Sequence, residues 1–310
     1  MRQSYAKIEC IIVDDATNDD SIVKCKRLIS DYDGPIQFRI LHHDKNKGLS
    51  AARNTGTEAA KGDFIFYLDS DDELTVDCIA KLVAVAHRYP QAQMVIGDIE
   101  EIWYDGKGSK RLLYERLPEH IQTNQSIALC FFHRNFPGFA WNKLIKHSFI
   151  EEHQLYFKEG VVFEDILWMF FVLKYLSDVC FVKDVTHRYH RRHGSIMLRP
   201  GGVALGLSMS IIHDEIIHNL TPGREKLELA YYVEGFSFFY MKYHKIIMSY
   251  DTLMKEYKKK AKELNSMTAY LKLCLVKKLG KKHSGIHTLQ RLKSARQVLM
   301  RLGMMQVKKL

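Results

Sequence analysis

The chain has 310 residues, a formal net charge of +10, and 46% hydrophobic against 26% charged residues. That balance excludes a disordered, fibrous or collagen-like polymer, and the length holds one large α/β domain with an appendage. The positive charge is gathered at one end, because Asp251 to Leu310 carries 16 Lys and Arg against 3 acidic residues.

In chain order, strand patterns at Ile8 to Val13, Ile36 to Leu41, Asp63 to Leu68 and Met94 to Ile99 alternate with helical patterns. The helices fall at Ser21 to Ser30, Leu49 to Ala60 and Val76 to Arg88, with Gly34-Pro35 and Tyr89-Pro90 punctuating the connections. Such alternation predicts βαβ units in a mostly parallel sheet, with ligands gathering at the strands' carboxyl ends. Tyr104 to Lys110 reads as a loop or hairpin. A helix starting at Thr123 or Asn124 is expected to turn Ile127, Leu129, Cys130 and Phe131 inward. Phe163 to Tyr175 follows as a helix with Glu164 and Asp165 in its first turn, then short strands at Val179 to Val182 and Thr186 to His190. From Gly201 onward only helices are expected, the last of them basic, so the chain divides into 1–200 and 201–310.

Cys10, Cys25, Cys78, Cys130, Cys180 and Cys274 are scattered, with no Cys-x-x-Cys pair and no clustering with His along the sequence. This spacing argues against a zinc site or disulfide framework and fits a reducing cytosol. The longest apolar run, Ile166 to Leu173, is too short to span a bilayer, and no signal-peptide pattern is visible at Met1.

The stretch richest in chemistry is Gly62 to Asp72, an apolar strand that ends in Asp69, Asp71 and Asp72. Carboxylates that close repel one another unless a cation sits among them, and hard oxygen donors favour Mg²⁺ or Mn²⁺ with positions left for phosphate oxygens. A solvated acidic turn capping the next helix is the plainer alternative. Upstream, Ile11 to Val13 runs into Asp14 and Asp15, and Asn46-Lys47-Gly48 opens the helix that carries Arg53. Downstream lie Trp141-Asn142-Lys143 and Phe163-Glu164-Asp165.

In this order the motifs resemble those of a family 2 glycosyltransferase of the GT-A fold, over roughly residues 8 to 196. The resemblance implies a mixed, mostly parallel sheet flanked by helices, here with a helical, basic C-terminal extension. It lacks one feature, since the family's first strand and its Pro-x-Tyr-Asn turn have no counterpart before Ile8. By resemblance Asp71 leads the metal site, Asp69 faces the ribose or diphosphate, and Asp72 serves either. Asp14 and Asp15 are placed at the base, with Asp15 preferred. Arg53 would contact nucleotide oxygens or form a salt bridge with Asp14 or Asp15. Asp165 matches the family's catalytic base, with Glu164 as fallback, and Trp141 with Phe163 would exclude water from it. Trp141 could equally be ordinary core. Arg191, Arg192, His193 and Ser195 resemble the segment that closes over the diphosphate, with His190 or His193 available to the metal.

The resemblance thus implies an inverting, metal-dependent enzyme using Mn²⁺ or Mg²⁺ and a nucleotide-sugar donor, uridine-linked by preference. Its acceptor would be a glycan or lipid-linked glycan in cell-surface polysaccharide synthesis. The alternative is a truncated, inactive, membrane-associated remnant or binding module. Lys255 to Lys260 and Leu271 to Leu279 join cations to an apolar face, as in a helix lying on an anionic membrane at the inner leaflet. A solvated helix packed back on the protein explains them equally well. Nucleic acid is not expected, because the tail has few aromatic residues for stacking.

Overall fold

In the computed structural model, residues 1–103, 109–112, 117–191 and 202–282 are described, and the chain forms two compact units, Met1–Pro200 and Gly201–Leu310. The first unit opens with β1 (Glu9–Asp14), α1 (Ser21–Ser30), β2 (Gln37–His42) and α2 (Leu49–Ala59). β1 and β2 pair in parallel, Val13 opposite Leu41. α2 starts where Gly48 adopts φ +90, a left-handed conformation that only glycine takes without strain.

Then follow β3 (Phe64–Phe66), β4 (Glu73–Leu74), α3 (Cys78–Arg88), β5 (Met94–Trp103), β6 (Ser109–Leu112), β7 (His120–Gln122) and α4 (Asn124–Phe132). The unit closes with β8 (Lys143–Lys146), α5 (His147–Glu152), α6 (Glu164–Tyr175) and β9 (Asp178–Arg191). Seven of these strands form one mixed sheet in the order β3-β8-β5-β9-β4, with β6 added to β5 and β7 to β9. β5 and β9 are parallel neighbours, whereas β8 runs antiparallel to both β3 and β5. The arrangement is the mixed α/β GT-A architecture. Its core includes Leu82, Met94, Ile96, Trp168, Phe170 and Phe181, each under 2% exposed.

No ladder joins β1 to β3 among the described residues: β1 pairs with β2 alone and β3 with β8 alone. Elements beside this break are thinly packed, since all of β1 is only half-buried and α1 has no buried residue.

Two expectations need correction, and a third agrees with the hairpin that β5 and β6 form. The two strands foreseen between Val179 and His190 are one 14-residue strand, β9. Its register against β5 shifts around Asp98, so that Val182 pairs with Gly97, Val185 with Asp98 and His187 with Ile99. This bulge absorbs Lys183 and Asp184, which lie between the two expected strands. Leu129 points outward on α4, where Ile127, Cys130 and Phe131 already fill the inner face. Of Tyr104 to Lys110, residues 104–108 lie outside the described set, and Ser109 and Lys110 begin β6, which folds back on β5.

The second unit holds α7 (Val203–His218), α8 (Glu225–Tyr243), α9 (Ser249–Glu263) and α10 (Met267–Lys282). Their shared core is built from Leu229, Val233, Phe236, Tyr250, Tyr257 and Leu273, with the Phe236 and Tyr257 rings stacked 4.4 Å apart. The apolar residues Leu253, Met254 and Tyr257 of α9 and Ala269, Leu273 and Val276 of α10 are therefore covered within this unit. Among the described residues, no helix is long and apolar enough to cross a membrane.

Candidate active site

Arg53 is the hub. One turn into α2 its guanidinium is buried, with Nη2 donating to Asp69 Oδ1 at 2.7 Å and Nη1 to Glu164 Oε1 at 2.5 Å. Asp69 follows β3 and Glu164 opens α6, so a single planar fork ties the end of a strand to the start of a helix. The guanidinium also lies 5.2 Å from the centre of the Phe157 ring. Next to it, Asn54 holds that segment in place: its amide donates to the Phe157 carbonyl at 2.9 Å and accepts from the Phe157 amide at 2.8 Å. The expected salt bridge of Arg53 with Asp14 or Asp15 gives way to Asp69 and Glu164.

Asp165 stands beside this fork. Phe163, at φ +64, turns the chain sharply into α6 and sets Glu164 and Asp165 in the first turn. Burial, and then the neighbouring Glu164 charge, push the Asp165 carboxyl up to about 6, against the pull of Arg53 and Lys143. Lys143, on β8 and 1% exposed, is held down to about 7 by burial, with Asp165 acting against the shift. An acid with a raised pKa and a base with a lowered one mark an environment suited to proton transfer near neutral pH. Sequence reading had passed over Lys143, although it belongs to the Trp141-Asn142-Lys143 motif.

The other aspartates have fixed partners. Asp15 accepts from the Lys47 and Gly48 amides at 2.8 and 2.7 Å and lies 2.7 Å from His43 Nδ1. Burial opposes its ionisation, but these bonds outweigh it and hold the carboxyl below its usual range. Asp15 thus anchors the turn that opens α2. Asp14 accepts from the Thr17 amide and pairs with His42, which lowers it as well.

At the β3 turn, Asp72 is paired with the buried His187, Oδ2 to Nε2 at 2.9 Å, and its Oδ1 accepts from the His190 amide at 3.4 Å. The His187 ring stacks on Trp141 at 4.4 Å, and Trp141 stacks in turn on Phe139 at 4.6 Å. Trp141 is 6% exposed, so its ring is committed to this stack. Asp71 is exposed. Among the described residues, no three metal-ligating side chains converge at this turn. What it offers is oxygen donors, Asp69 and the exposed Asp71, a set that fits a hard cation drawing its remaining ligands from water and phosphate. Arg192, His193 and Ser195 lie outside the described residues.

Asn142 is a second residue that sequence reading left without a role. In a left-handed conformation, φ +57, it donates to the Gly97 carbonyl at 2.6 Å and accepts from Thr186 Oγ1 at 2.7 Å. It thereby seats Trp141 and Lys143 against the bulge that presents His187. The signal was available in the motif, but its partners are 44 or 45 positions away in sequence.

Carboxylates thus stand at the ends of β1 and β3 and at the start of α6, on a mixed α/β fold of the GT-A class. Solved structures agree on the fold: Staphylococcus aureus TarS, residues 1–349, in complex with UDP, superposes with a TM-score of 0.61 at 15% identity, covering 84% of this chain and 74% of that one. Residues 1–154 match the model of Glycosyl transferase family 2, so this region is similar to that family. Glycosyltransferase GlyG of Streptococcus pneumoniae is 30% identical over 208 residues, 64% of this chain and 65% of the relative. The succinoglycan biosynthesis protein ExoO of Rhizobium meliloti is 27% identical over 206 residues, 63% and 56% respectively. The chain therefore spans less than two thirds of either relative's length.

Proposed function

We propose that this chain is an inverting glycosyltransferase that moves a sugar from a uridine diphosphate donor to a glycan or lipid-linked glycan in cell-surface polysaccharide synthesis. The observation that carries this reading is the Arg53 fork, which couples Asp69, on the donor side, to Glu164 and hence to Asp165, on the acceptor side. The relatives' names, and the UDP bound to TarS, support the donor and product classes.

Asp165 acts as general base. Ionised above its raised pKa, it takes the proton of the acceptor hydroxyl while that oxygen bonds to the anomeric carbon and the bond to the diphosphate oxygen breaks. Attack from the face opposite the diphosphate inverts the centre. Asp71 and Asp69 would hold Mn²⁺ or Mg²⁺, which when bound neutralises the charge of the leaving diphosphate. Asp14 and Asp15 rim the base, the latter by fixing the 46–48 turn. The Trp141 and His187 stack, through the bond of His187 to Asp72, backs the turn after β3. A screen of nucleotide sugars for hydrolysis with Mn²⁺ or Mg²⁺ tests the reading. Turnover is expected with a uridine-linked donor and should fall 10²- to 10⁴-fold in acceptor transfer for Asp165→Asn. Full transfer by that variant would remove Asp165 as base.

The basic helices are proposed to hold the enzyme on anionic lipid at the cytoplasmic face. Because most of their apolar side chains are covered, Met267 and Leu271 excepted, the exposed Lys255, Lys259 and Lys278 would supply most of the attraction, about 1 kcal/mol each. Changing all three to Glu should abolish co-sedimentation with phosphatidylserine vesicles; unchanged binding would dispose of the idea.

A further inference from the structure

The scattered cysteines conceal a cluster that only strand pairing assembles. We propose that His120, Asp178 and Cys180 form a site for one soft divalent cation, of the Zn²⁺ kind, on the ladder between β7 and β9. His120 lies opposite Cys180 in the antiparallel register, and Gln122 lies opposite Asp178. Residues two apart on a strand share a face, so these four side chains meet on one side of the ladder. The candidate ligand atoms of His120, Asp178 and Cys180 all fall within 4.8 Å of one another.

Two of the three ligands are already oriented by neighbours. His120 Nε2 sits 2.7 Å from Asp178 Oδ1, Gln122 donates to Asp178 Oδ2 at 3.3 Å, and the His120 ring packs against Tyr89 at 4.5 Å. Outer groups of this kind fix ligand orientation around bound metals. The donor set decides the ion: thiolate, imidazole and carboxylate suit Zn²⁺, with a fourth position left to water, whereas Mg²⁺ and Mn²⁺ prefer oxygen. Access is one-sided, because Cys180 is fully buried while the His120 side chain is 22% exposed. On binding, the Cys180 Sγ–H proton leaves to water and a sulfur lone pair goes to the metal, the His120 ring keeps its proton on Nδ1 so that the Nε2 lone pair ligates, and Asp178 exchanges its contact with Nε2 for a bond to the cation. Cys180 and His187 stand seven positions apart on β9, or roughly 20 Å along the strand, so the site is distinct from the β3 turn.

The test uses the full chain stripped of metal by a chelator and titrated with Co²⁺, whose bond to a thiolate gives a charge-transfer absorption. One equivalent should develop that band, and Zn²⁺ should remove it. Cys180→Ala should lack it, and His120→Ala and Asp178→Asn should bind at least tenfold more weakly. His218→Ala, which breaks the exposed Asp214, His218 and Glu256 group on α7 and α9, should leave the band unchanged. No band in folded wild-type protein overturns the proposal, as does a full band in Cys180→Ala. Should Cys180→Ala fail to fold, wild-type affinity in His120→Ala, whose side chain is partly at the surface, overturns it equally.

Discussion

Asp165 sits between opposing influences, and each can be removed alone. Burial and Glu164 raise its pKa to about 6, while Arg53 and Lys143 lower it. A base works only when ionised, so kcat/KM should climb with pH up to about 6 and then level. Glu164→Gln deletes the like charge and leaves Arg53 with one fewer anion, which should move that acid limb to lower pH. Lys143→Met deletes a cation and should move it higher. Profiles of kcat/KM against pH for the three proteins check both signs, and a limb that stays put in both variants would separate Asp165 from the base role. At this scale the place of Asp165 in the first turn of a helix was legible, because a carboxylate pair opening a helix is a local pattern. Lys143 was not legible, since an isolated lysine in an apolar strand ordinarily faces water and only the fold shows it 1% exposed. The pairing of Asp72 with His187 was equally hidden, being set by residues 115 positions apart.

Elements show the same division. β1, β2, α1 and α2 were legible within a residue or so, because periodicity and the Gly48 start are written locally. β9 was not: Thr186 and His187 are consecutive and both fully buried, which breaks the alternation by which a strand is recognised. The bulge accounts for this, and Gly97 makes it possible. A Cβ at Gly97 would lie 1.9 Å from Thr186 Oγ1, far inside van der Waals contact. Gly97→Ala should therefore destabilise the first unit by about 1–3 kcal/mol, the usual cost of overpacking. In Gly97→Ala/Thr186→Ala the clash with Oγ1 is gone, and part of that loss should return. Urea midpoints of the single and double variants measure the coupling. Additive losses would show that the bulge does not depend on this close approach.

Over the whole molecule, alternating strands and helices foretold an α/β unit followed by a helical one, but they could not tell how evenly the first is consolidated. Packing makes it uneven. In β5 and β9, Met94 to Ile96 and Val179 to Phe181 are at most 1% exposed, and both strands have partners on either side. Among the described residues β1 has a ladder on one side only and no fully buried residue, and α1 leaves Val23 and Leu28 70% and 57% exposed. Less apolar area is uncovered when β1, α1 and β2 open than when the whole sheet unfolds, so their opening costs less. Amides of peptides covering 9–42 should then exchange with deuterium at least tenfold faster than those of 94–99 and 178–182. Asp14 and Asp15 stand at the end of β1, so a nucleotide gripped there is linked to its closed form and should slow exchange in that region most. Hydrogen exchange with and without UDP and Mn²⁺ reads both effects. Equal protection of the two regions in the free protein would refute the uneven consolidation, and UDP that protected only residues beyond β3 would move the base-binding rim away from Asp14 and Asp15.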